Sequence, residues 1–143
     1  MSQVGESFFT TIGCMDGRVQ RPVSEYGRQK FGAQFADTIT EAGLVGLLSK
    51  IDLTASNAAD SELLLSSIKN KINISIEKHH SKGIVVHGHS ECAGNPVDDE
   101  KHKDDVRHSV EVVKSLVSSA IPVTGIFVKR FPKDPTNWLV EEL

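Results

Sequence analysis

Two stretches of this chain have residue types and spacing that can do chemistry: Cys14-Met15-Asp16-Gly17-Arg18 and His89-Ser90-Glu91-Cys92. The chain has only two cysteines, and each stretch holds one of them. Two thiolates and a neutral imidazole balance the charge of a zinc ion and fill three positions of a tetrahedron. Cys14, His89 and Cys92 are therefore the candidate metal ligands. The fourth position is left for water or substrate, which is the mark of a catalytic rather than a structural zinc. Such a site lowers the pKa of bound water to roughly 7, and the resulting hydroxide attacks an electrophilic carbon. Asp16 and Arg18 lie two apart, just after Cys14. An arginine beside a carboxylate keeps it ionised and oriented. Two roles are open to Asp16: it can orient the hydroxide, or it can occupy the fourth position and close the site. Arg18 would decide between them.

The elements that position these residues follow from periodicity. Phe8 to Gly13 and Ile84 to Gly88 are apolar, β-prone runs, and each ends where a cysteine-bearing loop begins. A further strand is expected over Gln34 to Thr40, and a last one over Val123 to Val128 after Pro122. Pro22 marks a helix start, with Val23, Tyr26 and Phe31 as apolar contacts. Leu44 to Leu48 reads as a helical turn and Thr54 to Asp60 as a loop. The longest helix is expected from Glu62 to about His80, capped by Asp60 or Ser61 and closed at Lys82-Gly83. Its stripe is Leu64, Ile68, Ile72 and Ile76, with Leu65 beside it. Ile72, Ile74 and Ile76 also alternate as a strand would, but the i, i+4 stripe runs through the whole segment and favours the helix. Another helix runs to about Ser118 on Val106, Val110, Val113 and Val117. Strands alternating with helices predict an α/β fold with a mainly parallel β-sheet flanked by helices, organised as a single domain over 1–143. In such sheets ligands bind beyond the carboxyl ends of the strands, where Cys14, His89 and Cys92 fall.

The bulk numbers restrict the partners. A net charge of −3 supplies no basic field for nucleic acid. No apolar run is long enough for a membrane span, and no signal segment opens the chain. A cytoplasmic location is expected, where thiols stay reduced and metal binding or catalysis is favoured over a disulfide.

Taken together, Cys-x-Asp-x-Arg after one strand and His-x-x-Cys after a later one resemble the β-class carbonic anhydrases. The matching residues are Cys14, Asp16, Arg18, His89 and Cys92, and the match spans about Phe8 to Phe127. The resemblance implies Zn2+ as cofactor, reversible hydration of carbon dioxide to bicarbonate, and a homodimer with active sites near the subunit interface. The chain departs from the family pattern in places. Ala93 comes before Gly94 where the family has glycine directly after the second cysteine, and Thr40-Glu41-Ala42-Gly43 replaces an Arg-Asn-Ala-Gly stretch. Short relatives include hydrolases of carbon disulfide or carbonyl sulfide, which use the same attack on a linear cumulated carbon.

Two other readings compete. A cysteine phosphatase loop needs arginine six positions after the cysteine; position 20 is Gln20, and Asp16 would repel phosphate. A non-catalytic zinc module would have a closed site with Asp16 as permanent ligand. Among the remaining histidines, His79 and His80 suit a helix C-terminus, His87 is expected in the core or an interface, and His102 and His108 on a solvated helix face.

Overall fold

The computed structural model describes residues 4–52 and 59–143. Strand β1 (Phe8–Cys14) leads into helix α1 (Gly17–Phe31), then strand β2 (Phe35–Glu41) and the short helix α2 (Leu44–Leu48). Helix α3 (Ala59–His79), strand β3 (Ile84–His89) and helix α4 (Asp99–Ser115) follow, and strands β4 (Val123–Phe131) and β5 (Asp134–Glu142) end the chain. The sheet order is β2-β1-β3-β4-β5. The first four strands pair in parallel and β5 lies antiparallel on β4. The α/β architecture with a mainly parallel sheet is therefore as the sequence predicts.

Parallel strands need crossovers, and the crossovers place helices on both faces of the sheet. One core contains Ile12, Ile84 and Val86 of the strands under Ile68, Ile72, Val106, Val112 and Val113 of α3 and α4. The other contains Phe9, Val85, Ile126 and Val128 under Val19 and Val23 of α1. Strand β3 is buried at every residue, which is why it reads as a continuous apolar run instead of an alternating one. The helical stripe of α3 is borne out: Ile68 and Ile72 are buried, while Ile74 is exposed. A strand would have placed Ile72, Ile74 and Ile76 on one face, so the burial of Ile72 beside an exposed Ile74 is the helical outcome.

Five details differ from the sequence reading. Helix α1 starts five residues before Pro22, because Asp16 caps it by accepting the Arg18 backbone N–H. The proline then lies within the helix. Helix α3 ends with His80 in the left-handed region (φ 53°), and Lys82 and Gly83 already bond to β1 through Phe8 and Thr10. Helix α4 stops at Ser115, three residues short of Ser118. The chain after β4 turns back as a full strand that the sequence reading did not include: Trp138 and Val140 pack on the α1 side of the sheet. Pro135 is tolerated because β5 is an edge strand. The loop expected from Thr54 lies, as far as residue 58, outside the described residues, and Asp60 and Ser61 lie within α3 instead of capping it.

Candidate metal centre

Strands β1 and β3 are neighbours, yet the chain leaves β1 toward β2 on one side and returns to β3 on the other. Their carboxyl ends therefore form the crevice at which such sheets bind ligands. Cys14 is the last residue of β1 and His89 the last of β3. A turn after β3 brings Cys92 back, so that its Sγ lies 3.7 Å from the Sγ of Cys14. That separation is far beyond a disulfide bond, and both thiols are free and buried. The ligand atoms of Cys14, His89 and Cys92 all lie within 4.8 Å of one another.

The donor chemistry fits a metal ion. His89 Nδ1 is 2.8 Å from the Ser90 carbonyl oxygen, which can only accept, so Nδ1 carries the proton. Nε2 is then the lone-pair nitrogen. It is buried and has no hydrogen-bond partner, and a buried acceptor without a partner is costly unless something binds it. A carbonyl holding the distal N–H is the usual way in which a metal-binding imidazole is oriented. The Cys14 Sγ accepts the Gly43 N–H at 3.4 Å. Burial, then the neighbouring Cys14, pushes the Cys92 thiol up, while the backbone N–H groups of Asn95 and Gly94 work in the opposite direction. A cation between the sulfurs would reverse the first two effects. The thiolate-favouring N–H groups thus come from a turn and not from a helix entrance, since α4 begins only at Asp99.

Asp16 stands beside this group, its Oδ2 4.0 Å from His89 Nε2. Arg18 grips it as a fork, with Nε 3.0 Å from Oδ1 and Nη2 2.6 Å from Oδ2. These hydrogen bonds hold the Asp16 carboxyl down to about 2, so it is an acceptor only at any physiological pH. Gln20 fixes the turn between β1 and α1 by donating to the carbonyls of Cys14 and Asp16, each at 2.8 Å. The five residues singled out in the sequence are thus brought together.

Two contributors escaped the sequence reading. Gly43 has φ 62°, and a side chain there would strike the Gly94 backbone. The bare contact between Gly43 and Gly94 seats the Cys92 turn against the end of β2 and aims the Gly43 N–H at Cys14. Its only sequence signal is a glycine just past a strand. The second is Trp138, whose ring lies edge-on to His89 with centroids 6.4 Å apart; nothing local connects position 138 to position 89.

A family described as "Putative carbonic anhydrase" matches residues 4–142 of the chain. This chain is a divergent member of the β-carbonic anhydrase family. Its fold is similar to that of solved β-carbonic anhydrases. Isoform I of Trichomonas vaginalis shares 16% identity at a TM-score of 0.55, over 99% of this chain and 86% of that one. The enzyme of Aspergillus fumigatus shares 14% at 0.50, over 98% and 77%. A carbonic anhydrase of Streptococcus mutans shares 19% at 0.52, over 93% and 80%. No curated protein sequence matches the chain. A cavity of about 540 Å³ sits at the opposite, amino-terminal end of β4, lined in part by Val123, Thr124 and Gly125. It contains no residue of the Cys-His-Cys group, and in this carbonic anhydrase fold chemistry belongs at the carboxyl ends.

Among the described residues no other histidine belongs to the Cys-His-Cys cluster. His79 pairs with Asp37 at 2.7 Å. His102 is not on a solvated face but buried against Phe127, whereas His108 is exposed as expected, its Nε2 donating to the Ile51 carbonyl. His87 lies in the core opposite Gly13, whose missing side chain makes room for the ring. Neither of its nitrogens has a partner, and burial pushes its pKa down to about 3. The unfolded chain therefore binds a proton below about pH 6.5 that the folded chain refuses. Stability present above pH 6.5 is lost as pH falls toward 3. Urea unfolding of metal-free protein is expected to show a loss of about 2 kcal/mol from this group between pH 7 and 5. His87→Leu should flatten that limb; an equally steep limb in His87→Leu would rule the assignment out.

Proposed function

We propose that this chain is a zinc-dependent carbonic anhydrase that hydrates carbon dioxide reversibly to bicarbonate. The observation that carries the reading is the clustering of three soft or imidazole donors beside a carboxylate that Arg18 holds ionised. Cys14, His89 and Cys92 would hold the ion through their Sγ and Nε2 atoms. Zinc in such a set supplies Lewis acidity, lowering the pKa of water in the fourth position to about 7. Asp16 can only accept hydrogen bonds. It therefore fixes the hydrogen of the nucleophile toward itself and leaves a lone pair facing the substrate. Arg18 keeps Asp16 in that role by neutralising it from the side.

We further propose that the chain acts as one zinc-binding domain over residues 1–143, in the cytoplasm, as a homodimer. The reduced, buried cysteines support the compartment. The dimer is supported by the open edge of β2, where Phe35 is exposed, since uncovered strand edges invite pairing. None of the described helices is long and apolar enough to cross a membrane.

The test is stopped-flow carbon dioxide hydration from about pH 6.5 to 9, with zinc content measured in parallel, since the titrating water should have a pKa near 7 or above. Activity rising with pH is the expected result. Stoichiometric zinc without carbon dioxide turnover would overturn it. Carbon disulfide and carbonyl sulfide assayed on the same protein then separate a hydrolase from a closed, non-catalytic site.

A further inference from the structure

The grip on Asp16 depends on where Arg18 itself is held, and Arg18 is held from two sides by residues outside the Cys-x-Asp-x-Arg stretch. Its Nη2 donates to the Glu91 carbonyl at 3.1 Å, and its Nη1 lies 3.8 Å from the Glu91 carboxylate. Its guanidinium carbon sits 5.2 Å from the centre of the Trp138 ring. Arg130 covers the same indole at 4.7 Å. Arg130 also binds the other Glu91 carboxylate oxygen at 2.7 Å and the Pro135 carbonyl at 2.8 Å. Glu91 adopts a left-handed backbone (φ 59°) to stand between the two arginines, a conformation that costs a side-chain-bearing residue about 1 kcal/mol. Strained backbone of this kind persists where the surroundings impose it. Three segments distant in sequence thus meet on one guanidinium: the β1–α1 turn, the His89–Cys92 turn and the β4–β5 hairpin.

We propose that Glu91 and Trp138 are positioning residues that lock Arg18 onto Asp16 and so keep Asp16 from becoming a fourth metal ligand. The proposal rests on the reading of Cys14, His89 and Cys92 as a metal site. Asp16 Oδ2 is near enough to His89 Nε2, at 4.0 Å, for a modest side-chain movement to bring it to the metal. Whatever stabilises Arg18 in its observed place opposes that movement by the same coupling free energy. The Trp138 contact is the larger of the two holds. The Arg18–Glu91 carboxylate pair is long, and both side chains are about half exposed, so water screens it. A cation over an indole face keeps more of its attraction under partial exposure.

The test reads metal affinity, because the lock gives it a sign that structural damage does not. Cobalt and zinc dissociation constants are measured by chelator competition, with cobalt absorption reporting carboxylate entry into the coordination sphere. Trp138→Leu frees Arg18, lets Asp16 reach the metal and tightens binding by about three- to fivefold, while activity falls. Glu91→Gln, an exposed change that leaves the fold alone, moves both in the same directions by a smaller factor. Trp138→Phe keeps an aromatic face and restores near wild-type affinity. In an Asp16→Asn background, Trp138→Leu no longer tightens binding. Unchanged or weaker binding in both Trp138→Leu and Glu91→Gln overturns the lock, as does tightening that persists without Asp16. Wild-type protein that binds metal but hydrates no carbon dioxide overturns the catalytic reading while leaving these comparisons intact. Wild-type protein that binds no metal overturns both.

Discussion

Cys92→Ala is expected to lose stoichiometric zinc and, with it, all measurable carbon dioxide hydration. Loss of a group that merely orients a metal ligand typically weakens affinity by about 10- to 100-fold. Removing a direct thiolate donor should exceed that, and the remaining Cys14 and His89 cannot enclose an ion. The damage should stay local. Cys92 sits in a turn and not in either apolar core, and its anchoring comes from backbone contacts such as that between Gly43 and Gly94. The checks are metal analysis and stopped-flow kinetics on the same preparation, with circular dichroism to confirm the fold. A folded Cys92→Ala protein that retains one zinc per chain and a wild-type rate would exclude Cys92 as a ligand.

Asp16→Ala is expected to lower kcat/KM by a factor of about 100 or more while zinc stays bound, the order of effect that positioned proton acceptors supply. It combines two losses. One is the acceptor beside His89 Nε2. The other is the cap of α1, because Asp16 also accepts the Arg18 N–H at 2.9 Å; losing an N-cap costs about 1 kcal/mol. Asp16→Asn separates them. Asparagine caps as well as aspartate but carries no charge for the Arg18 fork, so its melting temperature should stay near that of the wild type while its rate falls with that of Asp16→Ala. A drop in zinc content in both variants, instead of a drop in rate alone, would show that Asp16 is a ligand at rest and that the site is closed.

Much of this was legible in the residues themselves. Cysteine chemistry is local: a thiol at the end of an apolar strand, with Asp and Arg at fixed short offsets, announces itself without any tertiary information. The same holds for β1 and β3, whose β-branched and aromatic runs satisfy both faces of a covered sheet, and for the i, i+4 stripe of α3. The start of α1 was misplaced because two local rules competed. Proline at a helix start is a strong signal, but an aspartate cap six residues earlier wins once its side chain finds the Arg18 N–H.

What lies across the sheet from these residues was not legible, because it depends on strand pairing between distant segments. Strand β5 carries a proline and charges that break its β pattern, and it becomes a strand because the edge of β4 offers it a ladder. That pairing alone delivers Trp138 to Arg18 and His89. His102 sits among charges in sequence, yet its helix turns it inward onto Phe127. Gly43 and Gly94 are 51 residues apart, and their close approach leaves neither of them room for a side chain. The residue types and their short spacings were enough to name the atoms that could hold a metal and the carboxylate beside them. The fold decided how firmly that carboxylate is held, because the residues that hold its arginine come from segments that only strand pairing brings together.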